Sequence, residues 1–293
     1  MGRIVYGDNL DVLAGIDDGS VPLIYIDPPF NTGRAQVRER LSTTHDENGD
    51  RTGFLGRRYR TERLGSQSFD DRFDDYLGFL EPRFREAHRV LAPNGTLYVH
   101  LDYREVHYVK VLLDGIFGRD CFLNEIIWAY DFGARPKRRW PAKHDNILVY
   151  VKNPRDYVFN TDGIDRIPYM APGLVGAEKA TRGKLPTDTW WHTIVSPTGK
   201  EKTGYPTQKP LGILRRIVAA SSNPGDLVLD FFAGSGTTGA AAVELGRDFL
   251  LVDSNEQAIK VMVDRFAGVE GVEVVGWPEA LTPSPSPSSG RGE

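Results

Sequence analysis

The chain of 293 residues has one cysteine, Cys121. A lone thiol cannot build a disulfide framework within a chain or a cysteine-rich zinc site, and it fits a reducing compartment. No apolar run approaches the ~20 residues needed to span a bilayer. The first residues, MGRIVYGDNL, carry no apolar signal core. A cytoplasmic protein without membrane contact is expected. Positive charge is not in excess either. Lys and Arg number 36 against 40 Asp and Glu, so no global field draws the chain to nucleic acid and any such contact must be local. The six histidines have no metal-ligand spacing, so no metal is expected. No repeat recurs at a fixed period. The apolar share of 40% is enough to bury a substantial core, and 11% aromatic residues argue against general disorder.

Short runs of β-branched and aromatic residues occur at Val21–Ile26, Thr96–Leu101, Glu125–Tyr130, Asn146–Val151, Leu227–Phe232 and Phe249–Val252. Most are continuous rather than alternating, which suits strands buried on both faces of a parallel sheet. Helical spacing is read over Asp70–Leu91, Leu211–Ala220 and Thr237–Leu245. The first of these meets a stop at Pro93-Asn94-Gly95, and Pro82 inside it implies a kink or two helices. Strands alternating with helices predict an α/β doubly wound fold. Residues 31–68, polar and arginine-rich, and 154–200, rich in Gly, Pro and Thr, read as functional loops or disorder. The stretch 279–293, with its Ser-Pro repeats, reads as a disordered tail.

Val21–Ile26 ends in Asp27-Pro28-Pro29-Phe30. A strand stops where two prolines arrive, because proline has no N–H for the ladder. The Asp27 carboxylate and the Pro28 carbonyl then face the crevice where open α/β sheets hold ligands, with the flat ring of Phe30 beside them. Methylation of an exocyclic amino group needs such a set. Two acceptors that take the amino hydrogens make the nitrogen more nucleophilic, and an aromatic ring holds a flipped-out base by stacking. Asp-Pro-Pro also occurs in ordinary turns; its place directly after a buried strand favours the functional reading.

A second signal follows Leu227–Phe232. Asp230 runs into Phe232, Ala233, Gly234, Ser235, Gly236, Thr237, Thr238 and Gly239, then a helix-like alanine run. The glycines permit a tight turn and close approach of a ligand. Fourteen residues after Gly239, Asp253 stands at the end of the next strand, where an acid can accept from ribose hydroxyls. The spacing also matches the dinucleotide fingerprint G-x-G-x-x-G, so a dinucleotide-dependent oxidoreductase is the alternative from another class. No Lys stands where a P-loop needs one.

With both motifs in hand, the chain resembles the β-class amino-methylating DNA methyltransferases of restriction-modification systems, in which the catalytic motif precedes the cofactor motif. The run Leu23–Gly33 looks like that of adenine methyltransferases. Gly7-Asp8-Asn9-Leu10 is similar to the family's N-terminal motif, where the acid lies near the cofactor's adenine. Pro206-Thr207-Gln208-Lys209-Pro210 is similar to the segment that helps hold the methionine moiety. The resemblance covers roughly residues 4–265. It implies a circularly permuted, Rossmann-like methyltransferase fold with a mixed, mainly parallel sheet flanked by helices. It also implies S-adenosylmethionine as cofactor, with Asp8, Thr207, Lys209, Asp230, Phe232, Gly234, Ser235, Gly236, Thr237 and Asp253 around it. The reaction implied is site-specific methylation of adenine N6 in double-stranded DNA. Cytosine N4 is the nearer alternative, though family members of that kind more often begin the motif with Ser. Phe30 replaces the commoner Tyr and keeps the stacking face. A homodimer and a cognate restriction endonuclease are the further partners the family implies. One domain over 1–278 is expected, with a catalytic half (1–153), a target-recognition insertion (154–200) and a cofactor part (201–278).

DNA contact is expected from Gly133–His144, which carries Arg135, Lys137, Arg138, Arg139 and Lys143 without an acid and joins two strands. Residues 31–63 carry eight arginines but also five acids, so a solvated loop is as good a reading there. Trp190-Trp191-His192 is read as core packing or loop anchoring.

Overall fold

The computed structural model describes residues 1–33, 36–45, 51–52, 58–69, 71–133, 135–196 and 199–278, with backbone alone for 36–45, 51–52, 59 and 61–69. The expected tail at 279–293 lies outside the described residues. In chain order the elements are β1 (Gly2–Tyr6), α1 (Asn9–Ala14), β2 (Val21–Ile26), β3 (Gln36–His45), β4 (Arg51–Thr52), β5 (Arg58–Phe69), α2 (Tyr76–Val90), β6 (Leu91–Leu101), α3 (Val106–Phe117), β7 (Phe122–Ala129), β8 (His144–Val151), α4 (Ala177–Arg182), β9 (Thr189–Trp191), α5 (Leu211–Ser221), β10 (Leu227–Asp230), α6 (Thr237–Glu244), β11 (Asp248–Asp253), α7 (Glu256–Phe266) and β12 (Val272–Val275). They fall into two compact units, 1–28 with 77–293, and 29–76.

The larger unit is built on a sheet in the order β12-β1-β11-β10-β2-β6-β8-β7-β9. From β12 to β6 every neighbour is parallel, and β8 alone runs against both its neighbours. The mixed, mainly parallel sheet is as expected. Its central strands are buried on both faces, which is why they read as continuous apolar runs. The core joins Leu23, Val228 and Leu251 of the sheet to Ile213, Leu214 and Ile217 of α5 and Ile259, Met262 and Phe266 of α7. Each such side chain contributes roughly 1.5–3 kcal/mol on burial. Among the described residues no helix is long and apolar enough to cross a membrane.

Three local expectations change. Pro82 does not divide its helix; α2 runs through it from Tyr76 to Val90. The Pro93-Asn94-Gly95 stop lies within β6, where the pairing with β2 jumps from Val21↔Leu91 to Leu23↔Thr96. The irregular segment expected over 31–68 is largely a three-stranded antiparallel sheet, β3-β5-β4, paired from Gln36↔Phe69 to His45↔Tyr59. Its ladder is made of backbone groups, so it needs no apolar run to declare it. The smaller unit also holds Pro29, Phe30 and the residues that follow them. Asp71 is buried and accepts from Asn31 N at 2.8 Å, Thr32 N at 3.1 Å and Thr32 Oγ1 at 2.6 Å, while Tyr76 donates to the Pro29 carbonyl at 2.6 Å.

Candidate active site

Because β1, β11, β10 and β2 are parallel neighbours, their C-terminal ends share one edge. Four acids stand along it. Asp8 lies two residues past β1, Asp253 and Asp230 end β11 and β10, and Asp27 follows β2. Successive strands run outward from β10 to β11 on one side and from β2 to β6 on the other, so the crevice between β10 and β2 is a topological switch point.

Each acid is held differently. Asp230 Oδ2 accepts from Thr238 Oγ1 at 2.6 Å and Oδ1 from Phe232 N at 3.1 Å. Burial pushes its carboxyl up to about 7, and the nearby Asp27 and Asp253 charges add to the push. Asp253 Oδ2 accepts from Gly234 N and Oδ1 from Asn255 N, both at 2.8 Å, and burial raises its carboxyl too. Asp27 has the Lys209 ammonium on Oδ2, whereas its Oδ1 is buried with no hydrogen-bond partner among the described residues. The Asp27 carboxylate and the glycine turn thus lie at the same edge of the sheet.

The turn itself serves packing as well as approach. Gly236 lies at φ 70°, and a Cβ there would come within 2.8 Å of Met262 Cγ. A Cβ on Gly239 would meet Leu251 Cδ1 at 2.7 Å. These two glycines let α6 settle on β11 and α7. Ser235 and Thr237 are buried, with hydroxyls 3.1 Å apart, and Arg265 donates to Thr237 Oγ1 at 3.1 Å. Phe232 is half-buried, its ring 6.2 Å from that of Phe79.

Asp8 caps α1 through Leu10 N at 2.8 Å and reaches Arg83 at 3.5 Å. Beside it the sequence reading overlooked a buried clamp. Asn9 Nδ2 donates to the Phe231 carbonyl at 3.0 Å, and Arg83 Nε donates to Asn9 Oδ1 at 2.7 Å. The Arg83 guanidinium lies 3.8 Å over the Phe79 ring. Gln208, read in the sequence only as part of the 206–210 motif, fixes the loop before α5: its Oε1 accepts from Thr203 N and Oγ1 at 2.8 Å and its Nε2 donates to the Glu201 carbonyl at 2.7 Å. Thr207 is exposed on that loop. Nothing in the sequence pattern marks the clamp, because Asn9 meets Phe231 across 222 residues and Arg83 across 74.

Behind the crevice runs a buried chain. The Tyr25 hydroxyl lies 2.8 Å from His100 Nδ1, His100 Nε2 lies 3.3 Å from Asp145 Oδ2, and the Tyr130 hydroxyl donates to Asp145 Oδ1 at 3.0 Å. Asp145 and Tyr130 are the two feet of the basic loop between β7 and β8. On that loop Lys137, Arg138 and Arg139 are exposed, Arg135 pairs with Asp131 at 2.9 Å, Lys143 reaches the Phe132 carbonyl, and Trp140 is 94% exposed. Of the tryptophan pair, Trp190 is in the core and Trp191 is exposed. Residues 154–200 are tied to α5 by the Arg216–Asp165 pair, at 2.7 Å from Nε. Among the described residues no cluster of ligating side chains forms a metal site.

The crevice acids fit a ligand with positive charge and hydroxyl donors. S-Adenosylmethionine has a sulfonium, an ammonium and a ribose; a dinucleotide carries a pyrophosphate, which this set of acids repels. Fold and crevice together define an S-adenosylmethionine-dependent methyltransferase. The DNA methylase family matches residues 21–264, and the chain belongs to these N6/N4 DNA methylases. Two relatives cover most of its length. The type II methyltransferase M.HpaI of Haemophilus parainfluenzae is 30% identical, over 92% of this chain and 77% of that protein. The DNA adenine methyltransferase YhdJ of Escherichia coli (strain K12) is 31% identical, over 89% and 81%. The solved M1.HpyAVI–SAM complex superposes with a TM-score of 0.58 at 22% identity, covering 91% of this chain and 99% of that one, and shares the fold. The chain is therefore a DNA methyltransferase, and the oxidoreductase alternative falls.

Proposed function

We propose that this protein methylates N6 of adenine at a specific site in double-stranded DNA. The observation that carries the reading is Asp27 Oδ1, a buried acceptor with no partner among the described residues at the crevice edge. Leaving such an atom unpaired costs about 1–3 kcal/mol, so it is retained where a substrate supplies the donor. S-Adenosylmethionine, when bound, supplies a methyl group on a cationic sulfur. Asp27 Oδ1 accepts a hydrogen from the base's amino group and enriches the nitrogen lone pair, and the Pro28 carbonyl is assigned the second hydrogen. Phe30 is assigned the stacking face for the flipped base. Asp8, Phe232, Gly234 and Asp253 would hold the cofactor, with Asp230 behind them. Adenine is supported by Asp27 at the head of the motif and by the named activity of the YhdJ relative.

Arg135, Lys137, Arg138, Arg139 and Lys143 are assigned to phosphates, and residues 154–200 to reading bases. A homodimer, a cognate restriction endonuclease and a cytoplasmic location complete the proposal. The test is mass analysis of nucleosides from DNA of a host expressing the protein. N6-Methyladenine is expected. N4-Methylcytosine would correct the base, and an unmodified pool would end the reading.

A further inference from the structure

We infer that Lys209 is a positioning residue for methyl transfer: its ammonium anchors Asp27 Oδ2 and leaves Oδ1 turned to the amino group of the base. This rests on the methyl-transfer reading and adds a residue to it. The resemblance places Lys209 beside the cofactor's methionine moiety; the structure places it on the carboxylate, 182 residues away in sequence. Both side chains are nearly buried, at 10% and 16% exposure, so solvent does not dilute the pair. Lys209 is also held from both sides. Gln208 before it clamps the loop to Glu201 and Thr203, and Pro210 after it caps α5.

The charge around Asp27 explains why a cation is needed there. Asp230 faces the crevice from β10 and Asp253 from β11, the Asp145 carboxylate behind it lies within reach of the Lys209 charge, and the phenols of Tyr25 and Tyr205 lie within reach of the Asp27 charge. Among the described residues no other lysine or arginine pairs with Asp27, Asp230 or Asp253. Without Lys209 the Asp27 carboxylate would be repelled by its neighbours and free to turn, and its unpartnered oxygen would lose its aim. Two oxygens with separate tasks, one anchored and one offered, is the arrangement a positioned acceptor requires.

The experiment compares Lys209→Met and Lys209→Arg with wild type, using methyl-labelled cofactor and unmodified DNA. For Lys209→Met, kcat should fall on the order of 100-fold, the scale of a displaced catalytic group. KM for the cofactor and the Kd for S-adenosylhomocysteine should stay within about twofold. Lys209→Arg keeps the cation and should recover most of the rate. A rise in cofactor KM and S-adenosylhomocysteine Kd at unchanged kcat would show that Lys209 holds the cofactor instead, and overturn the inference. A second measurement needs no turnover and no Lys209 variant. The nitrogen resonance of the Lys209 ammonium should be protected from exchange in wild type and lost in Asp27→Asn; its absence from wild type overturns the pairing. A wild-type protein that labels no DNA overturns the methyl-transfer reading itself, which the variants alone cannot do.

Discussion

The crevice edge and the 130–143 loop are both charged, but they hold charge in opposite ways. In the crevice, Asp230 and Asp253 are fixed by backbone N–H groups and a hydroxyl, and burial has already raised both carboxyls. Their desolvation cost is met on folding, so a cationic ligand meets a prepared field. On the loop, Lys137, Arg138 and Arg139 stand in water with no ion-pair partner among the described residues. Solvated cations adapt to a phosphate backbone at many positions, and salt screens them. The comparison sets buried acids fixed by hydrogen bonds against exposed bases held by water, and under the proposed function the first would serve chemistry and the second docking.

The comparison breaks most easily at Asp27. Asp27→Ala removes the offered acceptor and should lower the rate of methyl transfer by roughly 100- to 1,000-fold, the scale seen when one preorganised hydrogen-bonding group is lost. Binding of S-adenosylhomocysteine should survive, because Asp230, Asp253 and the glycine turn remain. Labelled transfer and equilibrium binding measure the two effects separately. Full transfer by the variant would remove Asp27 from the chemistry.

Asp230 sharpens the buried side. Its carboxyl titrates near 7 in the fold, against about 3.9 in an unfolded chain. Between those values the folded state binds a proton that the unfolded state has released, so this group's contribution to stability falls as pH rises from about 4 to about 7. Asp230→Asn keeps the contacts, with its oxygen facing Phe232 N and its amide donating to the Thr238 hydroxyl, and removes the fall. Denaturation at several pH values should show the variant gaining on wild type across that window, by up to about 4 kcal/mol. A difference that does not grow with pH would mean that the site is wetter than its burial implies.

How much of this was legible in the sequence follows from range. The Asp27 motif and the turn from Asp230 to Gly239 are local, each requiring a strand, a stop and small residues in order, and both were readable. The buried clamp was not, because Asn9 meets Phe231 across 222 residues and Arg83 across 74. Helix α3 had a readable pattern, with Val106, Val109, Leu113 and Phe117 buried at helical spacing, and it was passed over. Strands β1 and β12 escaped because Arg3 and Glu273 interrupt them, so neither shows the continuous apolar run by which the other strands were read. The clamp gives the third test. Asn9→Ala strands the Phe231 carbonyl and Arg83 Nε, and should cost about 1–3 kcal/mol of stability by chemical denaturation. A neutral result would mean that Asp8 and the Phe79 ring alone suffice to seat Arg83.

The smallest expected effect tests the exposed side. Arg138 and Arg139 lie on the loop whose feet, Tyr130 and Asp145, share a hydrogen bond. If both contact phosphates, replacing them with alanine removes two counterion-releasing contacts. The slope of log affinity against log salt should then shrink by about 2, with a loss on the order of tenfold at moderate salt. Stability should hardly change, since neither side chain is buried. The sign of the salt effect separates the two regions: the loop variant should lose salt sensitivity in DNA binding, while Asp27→Ala should leave that slope as it was. If the loop variant bound DNA with an unchanged slope, the phosphates would be met elsewhere, and Arg58 and Arg60, exposed on the antiparallel ribbon of the smaller unit, would be the next residues to replace.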